Sequence, residues 1–183
     1  RVHEDENLLV HQTELEKAGL TSAIQAFDAA NEDEVLNGVQ SIAEKHGQLD
    51  GLINNAGIQH RKPLQDFELS DYDRLMDVNL RGSFLLAREA SKLMLEKRSG
   101  SIVNIAAIMG PLGRKNISAY TTSKGGILGL TKALEVELGP QLLLDTLADR
   151  RDEASFPACA LQGGLALARG VTDADDSDLV VCD

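Results

Sequence analysis

The sequence predicts an α/β fold in which a parallel sheet carries helices on its faces. Three observations point there. Helical and strand patterns alternate strictly as far as Pro140, and helix stops stand where that alternation needs them, at Gly19, Gly47 and Gly139-Pro140. A 43% hydrophobic content in 183 residues is also enough to bury one real core.

The elements follow in order. Glu6 to Gly19 reads as a helix, and Ser22 to Phe27 as a short strand ending at Asp28. Asn31-Glu-Asp-Glu34 is an N-cap with a capping-box glutamate and an acidic first turn. The helix it opens carries Val35, Leu36, Val39, Ile42 and Ala43 on one face and closes near Gly47. Leu49 to Ile53 is the next strand, running into Asn54-Asn55-Ala56-Gly57. Ser70 is placed to cap a long helix with an apolar face from Leu75 to Ala87. Ser101 to Ile105 is a third strand, and Ile117 to Leu138 a further helix.

Beyond Pro140 the character changes. From Gln141 to Asp183 nine acidic residues meet three arginines, so this stretch contributes −6 of the net −11. The chain therefore divides at 1–140 and 141–183, the second part an acidic tail. Its Asp-rich run, 173–178, reads first as a solvated end and second as a binding tail. Gln141 to Arg151 reads as a helix, although Leu144 to Ala148 also echoes a strand; Leu179 to Cys182 has strand composition.

The charge of −11 argues against nucleic acid as a partner, because phosphate binding needs clustered Lys and Arg. No apolar run approaches the ~18–20 residues of a membrane helix, and no signal-peptide core follows Arg1 to Glu6. Cys159 and Cys182 make no disulfide framework, and four scattered histidines supply no metal-ligand pair. A reducing, cytoplasmic setting is expected.

In open α/β sheets ligands bind at the carboxyl ends of the strands. Asp28, Asn54 to Gly57 and Ala106 to Gly110 fall there. Tyr120 and Lys124 stand at i and i+4, on one helix face. A phenol titrates near ~10, and an ammonium within a few ångströms favours the phenolate, which suits proton exchange with an alcohol.

Asn-Asn-Ala-Gly after a strand, Asn79 in the next helix, Ile-Val-Asn-Ile and then Tyr-x-x-x-Lys form an ordered set that resembles the short-chain dehydrogenase/reductase family over about Ala18 to Pro140. Leu49 to Pro63 and Leu112 to Lys115 are most similar to gluconate 5-dehydrogenases and related sugar-acid or polyol oxidoreductases. The resemblance implies a Rossmann-like doubly wound sheet and hydride transfer between a secondary alcohol and NAD or NADP. By the same resemblance Tyr120 is the general acid/base. Lys124 favours its phenolate and binds the nicotinamide ribose, while Asn79 holds a water linking Lys124 to solvent. Asp28 meets the adenine end, and Asn55, Ala56 and Gly57 line the coenzyme groove. Family members pair through two long helices, here about Ser70–Glu96 and Ile117–Leu138, which makes a homo-oligomer the expectation. Arg61, Lys62 or Arg114 could fork onto a sugar-acid carboxylate, or could be plain loop charges.

Three departures accompany the resemblance. The family's catalytic serine stands thirteen residues before the tyrosine, where this chain has Ala107. Ser118, Thr121 and Thr122 are poorly placed to replace it. No Thr-Gly-x-x-x-Gly-x-Gly occurs in the chain. No strand ending in a Pro-Gly turn follows Pro140. The first strands of the family's sheet are then expected to be absent, leaving the strands at Ser22–Phe27 and Leu49–Ile53 either paired directly or with open edges. A truncated or frame-disrupted product would read this way. The competing expectation is a non-enzymatic remnant that at most associates with an intact homologue.

Overall fold

A computed structural model of the chain describes residues 6–139, 141–147, 165–168 and 178–182. The order is α1 (Glu6–Lys17), β1 (Thr21–Ile24), α2 (Glu32–His46), β2 (Gly51–Asn54), α3 (Leu69–Met76), a π-helical segment (Asp77–Arg81), α4 (Gly82–Glu96), β3 (Ser101–Ile105), α5 (Met109–Leu112), α6 (Ser118–Leu138), β4 (Leu143–Leu147), β5 (Leu165–Ala168) and β6 (Asp178–Cys182). The fold is α/β with one six-stranded sheet, ordered β1-β6-β5-β2-β3-β4.

The pairs β1/β6, β2/β3 and β3/β4 are parallel. β5 runs antiparallel to both of its neighbours. Nine residues, 169–177, join β5 to β6, fewer than the dozen or so that a parallel crossover needs, so the two strands meet as a hairpin. This hairpin corrects the expectation of direct pairing or open edges between β1 and β2. The slot is filled by strands from the far end of the chain. The expected helix at Gln141–Arg151 is corrected as well: residues 143–147 form β4, in register with β3 from Ser101↔Leu143 to Ile105↔Leu147. A full ladder of backbone bonds outweighs the mild helical preference of a leucine run. Residues 148–164, with Cys159 and Gly163-Gly164, and most of the Asp-rich run lie outside the described residues.

Local chemistry explains the helices. Asn31 caps α2, its side chain accepting from the Asp33 and Glu34 N–H groups, and Gly47 closes the helix at φ 77°. Glu34 departs from the usual capping box: one oxygen accepts from the Asp28 N–H at 2.9 Å, the other from Asn31 Nδ2 at 3.0 Å. α3 starts at Leu69 with Glu68 as N-cap, so Ser70 is not the cap. The extended backbone of Glu68 presents its carbonyl to the Asp71 and Tyr72 N–H groups, which sets the start two residues earlier. The expected long helix is broken by the π segment, whose single wider turn pulls Asn79 inward to 1% exposure.

β2 and β3 alternate buried and half-buried positions, sending Leu52, Asn54, Ile102 and Asn104 toward the helical layer. Leu52 and Ile102 join Val35, Val39 and Ile42 of α2 and Leu85, Leu86, Ala90 and Met94 of α4 in one apolar core. Within it runs a buried polar chain. Asn54 Nδ2 donates to Asn104 Oδ1 (2.8 Å) and to the Ser83 carbonyl (3.1 Å). Asn104 Nδ2 donates to Thr131 Oγ1 (2.9 Å), which donates in turn to the Ile127 carbonyl. It fastens β2, β3, α4 and α6 to one another. On the outer side, Arg88 reaches Glu32 of α2 at 2.9 Å and Glu89 at 2.6 Å, and Lys92 meets Glu89 at 2.5 Å. Burial pushes the Glu89 carboxyl up, but the hydrogen bonds from Lys92 and Arg88 outweigh it and hold the group below its ordinary value.

Candidate functional site

The site is built at the carboxyl ends of β2 and β3. Beyond Ile105 the chain turns into α5, and the Ile105 carbonyl accepts a 2.6 Å hydrogen bond from Lys124 Nζ of α6. Lys124 is 5% exposed, and its ammonium stands 6.0 Å from the centroid of the Tyr120 ring one turn earlier. Ile117 and Ala119, each 2% exposed, anchor the start of α6 and thereby aim Tyr120. Asn116, in the left-handed region at φ 66°, makes the bend into that helix, and its carbonyl accepts from the Lys62 N–H at 3.0 Å. The loops after β2 and β3 are thus tied together in front of Tyr120.

Asn79 joins this group from the π segment. Its Oδ1 accepts from the Ile58 N–H at 2.7 Å; its Nδ2 donates to the Ile58 carbonyl at 2.9 Å and to Ser123 Oγ at 3.1 Å. The side chain is therefore committed to fixing the loop after β2. The Asn79 backbone carbonyl accepts from Ser83 Oγ at 3.1 Å. Gly57 lies directly opposite: a Cβ built there would stand 3.4 Å from Asn79 Oδ1 and 3.7 Å from Lys124 Nζ. Glycine keeps the approach to the ammonium open.

The sequence-predicted residues divide into two groups. Tyr120, Lys124, Asn79 and Gly57 are brought together. Asn55 and Ala56 are half-buried beside Gly57. Asp28 lies apart, exposed four residues beyond the end of β1, a strand that stands three interstrand spacings from β2, roughly 14 Å. It forms a tight turn in which Oδ1 accepts from the Ala30 N–H at 2.9 Å. Ala107 is 5% exposed, and its carbonyl accepts from the Gly110 N–H, so the backbone is in service while the side chain is a methyl. Thr122 donates to the Ser118 carbonyl, and Thr121 Oγ1 is buried with no hydrogen-bond partner among the described residues. Of the cationic candidates, Arg61 is exposed with Nε on Gln59, Lys62 faces Glu68 at 3.8 Å, and Arg114 is exposed.

One residue of the cluster was not anticipated: Ser123, with 0% exposure, which donates to the Tyr120 carbonyl at 2.9 Å. Its signal was present, since it is a hydroxyl on the inward face that α6 shares among Ala119, Ile127 and Thr131.

Comparison with known proteins bears on this arrangement. The short chain dehydrogenase pattern matches residues 2–143. The chain belongs to that family. Gluconate 5-dehydrogenase of Gluconobacter oxydans is 37% identical over 134 residues, 73% of this chain and 52% of that protein. A 2-dehydro-3-deoxy-D-gluconate 5-dehydrogenase of Formosa agariphila is 38% identical over 124 residues, 68% and 47%. A gluconate 5-dehydrogenase of Burkholderia cenocepacia, solved with NADP and tartrate, superposes with TM-score 0.73 at 31% identity, covering 76% of this chain and 55% of that one. The fold of this short-chain dehydrogenase is accordingly an incomplete Rossmann-like one, similar to that of gluconate 5-dehydrogenases. The chain spans about half the length of the curated relatives it matches. Among the described residues no helix is long and apolar enough to cross a membrane.

Proposed function

We propose that the Tyr120–Lys124 group is the proton-handling site of an NAD(P)-dependent oxidoreductase acting on a secondary alcohol and its ketone, a sugar acid such as gluconate being the favoured substrate. The observation that carries this reading is Lys124. A nearly buried ammonium is fixed between the end of β3 and the Tyr120 ring, on the side that Gly57 leaves bare. Held there, the cation favours the phenolate, which takes the hydroxyl proton of an alcohol; in reverse, the phenol returns it to the developing alkoxide. The open approach at Gly57 and the ammonium donor fit the nicotinamide ribose, which Lys124, Asn55, Ala56 and Gly57 would hold, with Asp28 toward the adenine. When bound, the coenzyme supplies the hydride acceptor or donor. A water held by Asn79 would link Lys124 to solvent. The sugar-acid preference is supported by the names of the relatives, and a cytoplasmic location goes with the same reading.

Ala107 supplies no donor to the substrate oxygen, and loss of one such hydrogen bond typically costs ~10²–10³-fold in rate. Turnover by this chain is therefore slow, and Ala107→Ser raises it by about that factor. The test begins with NADH and NADPH titrations followed by coenzyme fluorescence, with no tryptophan to interfere. Gluconate and neutral polyols are then assayed with the parent chain and with Ala107→Ser. Saturable binding together with a serine-dependent gain supports the reading; no binding at millimolar coenzyme sinks it. Arg61→Ala separates the substrate classes, since a KM rise confined to acidic substrates supports a carboxylate contact and an equal rise removes it.

The second reading, a non-catalytic relative that associates with an intact homologue, is favoured by one observation, the buried methyl of Ala107. Coenzyme binding with no turnover even in Ala107→Ser would select it. Pairing through α4 and α6 belongs to both readings. It is supported by the exposure of Phe84 (49%) and Val136 (81%) on those helices, and light scattering on the purified chain tests it.

A further inference from the structure

We infer that Ser123 and Gly126 form a two-point lock holding the π segment against α6, and that Ser123 is the positioning residue that keeps the Tyr120–Lys124 pair in register with the loop after β2. The inference rests on the proposed roles of Tyr120 and Lys124, but the geometry behind it does not.

The first point is polar. Ser123 Oγ, fully buried, accepts from Asn79 Nδ2 at 3.1 Å and donates to the Tyr120 carbonyl at 2.9 Å. One hydroxyl thus uses an acceptor site and its only donor at once. The second point is steric. Gly126, three residues on and on the same face of α6, receives the side chain of Leu80, the neighbour of Asn79; a Cβ at Gly126 would stand 2.7 Å from Leu80 Cδ2. With the side chain of Asn79 also spanning both the N–H and the carbonyl of Ile58, motion of the π segment is transmitted in two directions. One leads to the loop that carries Gly57, the other to the turn of α6 that carries Tyr120 and Lys124.

Removing the hydroxyl leaves Asn79 Nδ2 without that acceptor in a buried site, a cost met by turning the amide and loosening Ile58. The test uses the full chain and two NMR readouts, neither of which needs coenzyme or turnover. Exchange of the Ile58 amide reports the lock itself. Titration of ¹³Cζ-labelled tyrosine reports its consequence. The chain has only two tyrosines, so Tyr72 serves as the internal control. In Ser123→Ala, Ile58 exchange accelerates about tenfold. At a fixed pH below its midpoint the Tyr120 phenolate fraction falls about threefold, as Lys124 loses register. Tyr72 does not move. Ser123→Thr, which keeps the hydroxyl, restores both values. Gly126→Ala, which displaces Leu80 and leaves the hydroxyl in place, shifts both in the same direction as Ser123→Ala.

A fall in thermal midpoint with Ile58 exchange and Tyr120 titration both unchanged overturns the inference. So does faster Ile58 exchange with an unmoved Tyr120, which would confine Ser123 to packing. These shifts observed in a chain that binds no coenzyme at millimolar concentration, or that shows no turnover even as Ala107→Ser, defeat the proposed function and leave the lock standing.

Discussion

The two ends of the sheet are built on different plans. Around β2, β3, α4 and α6, residues from one continuous stretch, 51–138, supply the chemistry-bearing side chains and the buried polar chain from Asn54 to Thr131 that fixes them. Around β1 the structure is assembled from distant parts: α1 packs on β1, and β6, 157 residues further on at Thr21↔Asp178, closes its inner edge. The Asp28–Asn31–Glu34 turn there is held by its own side chains and by Arg81 on the Ala30 carbonyl. On the proposed function the first end handles the proton and the second places one carboxylate, Asp28, at the rim. Chemistry and ligand placement are thus expected to fail separately.

The largest separation comes from Tyr120→Phe, which lowers kcat about 10²–10⁴-fold and leaves the coenzyme dissociation constant within about twofold. Equal loss of both would mean the two ends are one unit. Next is a contrast between two asparagines. Asn104→Ala breaks a fully buried chain and leaves Asn54 Nδ2 short of an acceptor, costing about 3 kcal/mol of unfolding free energy. Asn31→Ala removes an exposed cap and costs about 1 kcal/mol. Urea melts of both rank the two ends directly, and similar values would erase the distinction. A third expectation concerns Gly57→Ala, whose methyl makes ordinary contacts at 3.4–3.7 Å. Stability stays within about 0.5 kcal/mol of the parent, while coenzyme affinity falls about tenfold through occupation of the approach to Lys124. Unchanged affinity in the fluorescence titration would move the coenzyme elsewhere.

The smallest effect tests the clasp between α2 and α4. Glu89 has a lowered folded value, so its ionised form stabilises the native state above the ordinary carboxylate value of ~4.3. That contribution is lost as pH falls through the lowered folded value. Since Arg88 and Lys92 are partly exposed, Glu89→Gln costs only about 1 kcal/mol at pH 7 and nothing at pH 2. A thermal-melt difference that persists at pH 2 would assign the effect to packing.

What the sequence made legible follows the same division. Asn31 with Glu34, strand Ser101–Ile105, and α6 to Leu138 were readable because each is specified by near neighbours: a cap, an alternation, a Gly-Pro stop. Tyr120 and Lys124 were readable as an i, i+4 pair. The strand at 143–147 was obscured by its leucines, because a ladder with β3 is a non-local preference that no window reports. The β5–β6 hairpin was hidden for the same reason, since nothing near Leu165 or Asp178 names β2 or β1 as a partner. Glu68 displaced Ser70 because backbone geometry, not hydroxyl chemistry, set that helix start. Ser123 on the inward face of α6 was readable as a buried hydroxyl, but its partner Asn79 lies 44 residues away in another element, which no local pattern reports.

The π segment has a consequence for the phase of the long helix. An α-helix advances about 100° per residue, so a turn that holds one residue too many shifts everything before it, relative to everything after it, by that angle. α3 and α4 are therefore one rod with two zero marks. Deleting any single residue between Asp77 and Arg81 would restore an even pitch. It would also rotate one half of the rod against the other and carry Asn79 off the line to Ile58. The arrangement tolerates substitution along this helix far better than it tolerates a change in its length.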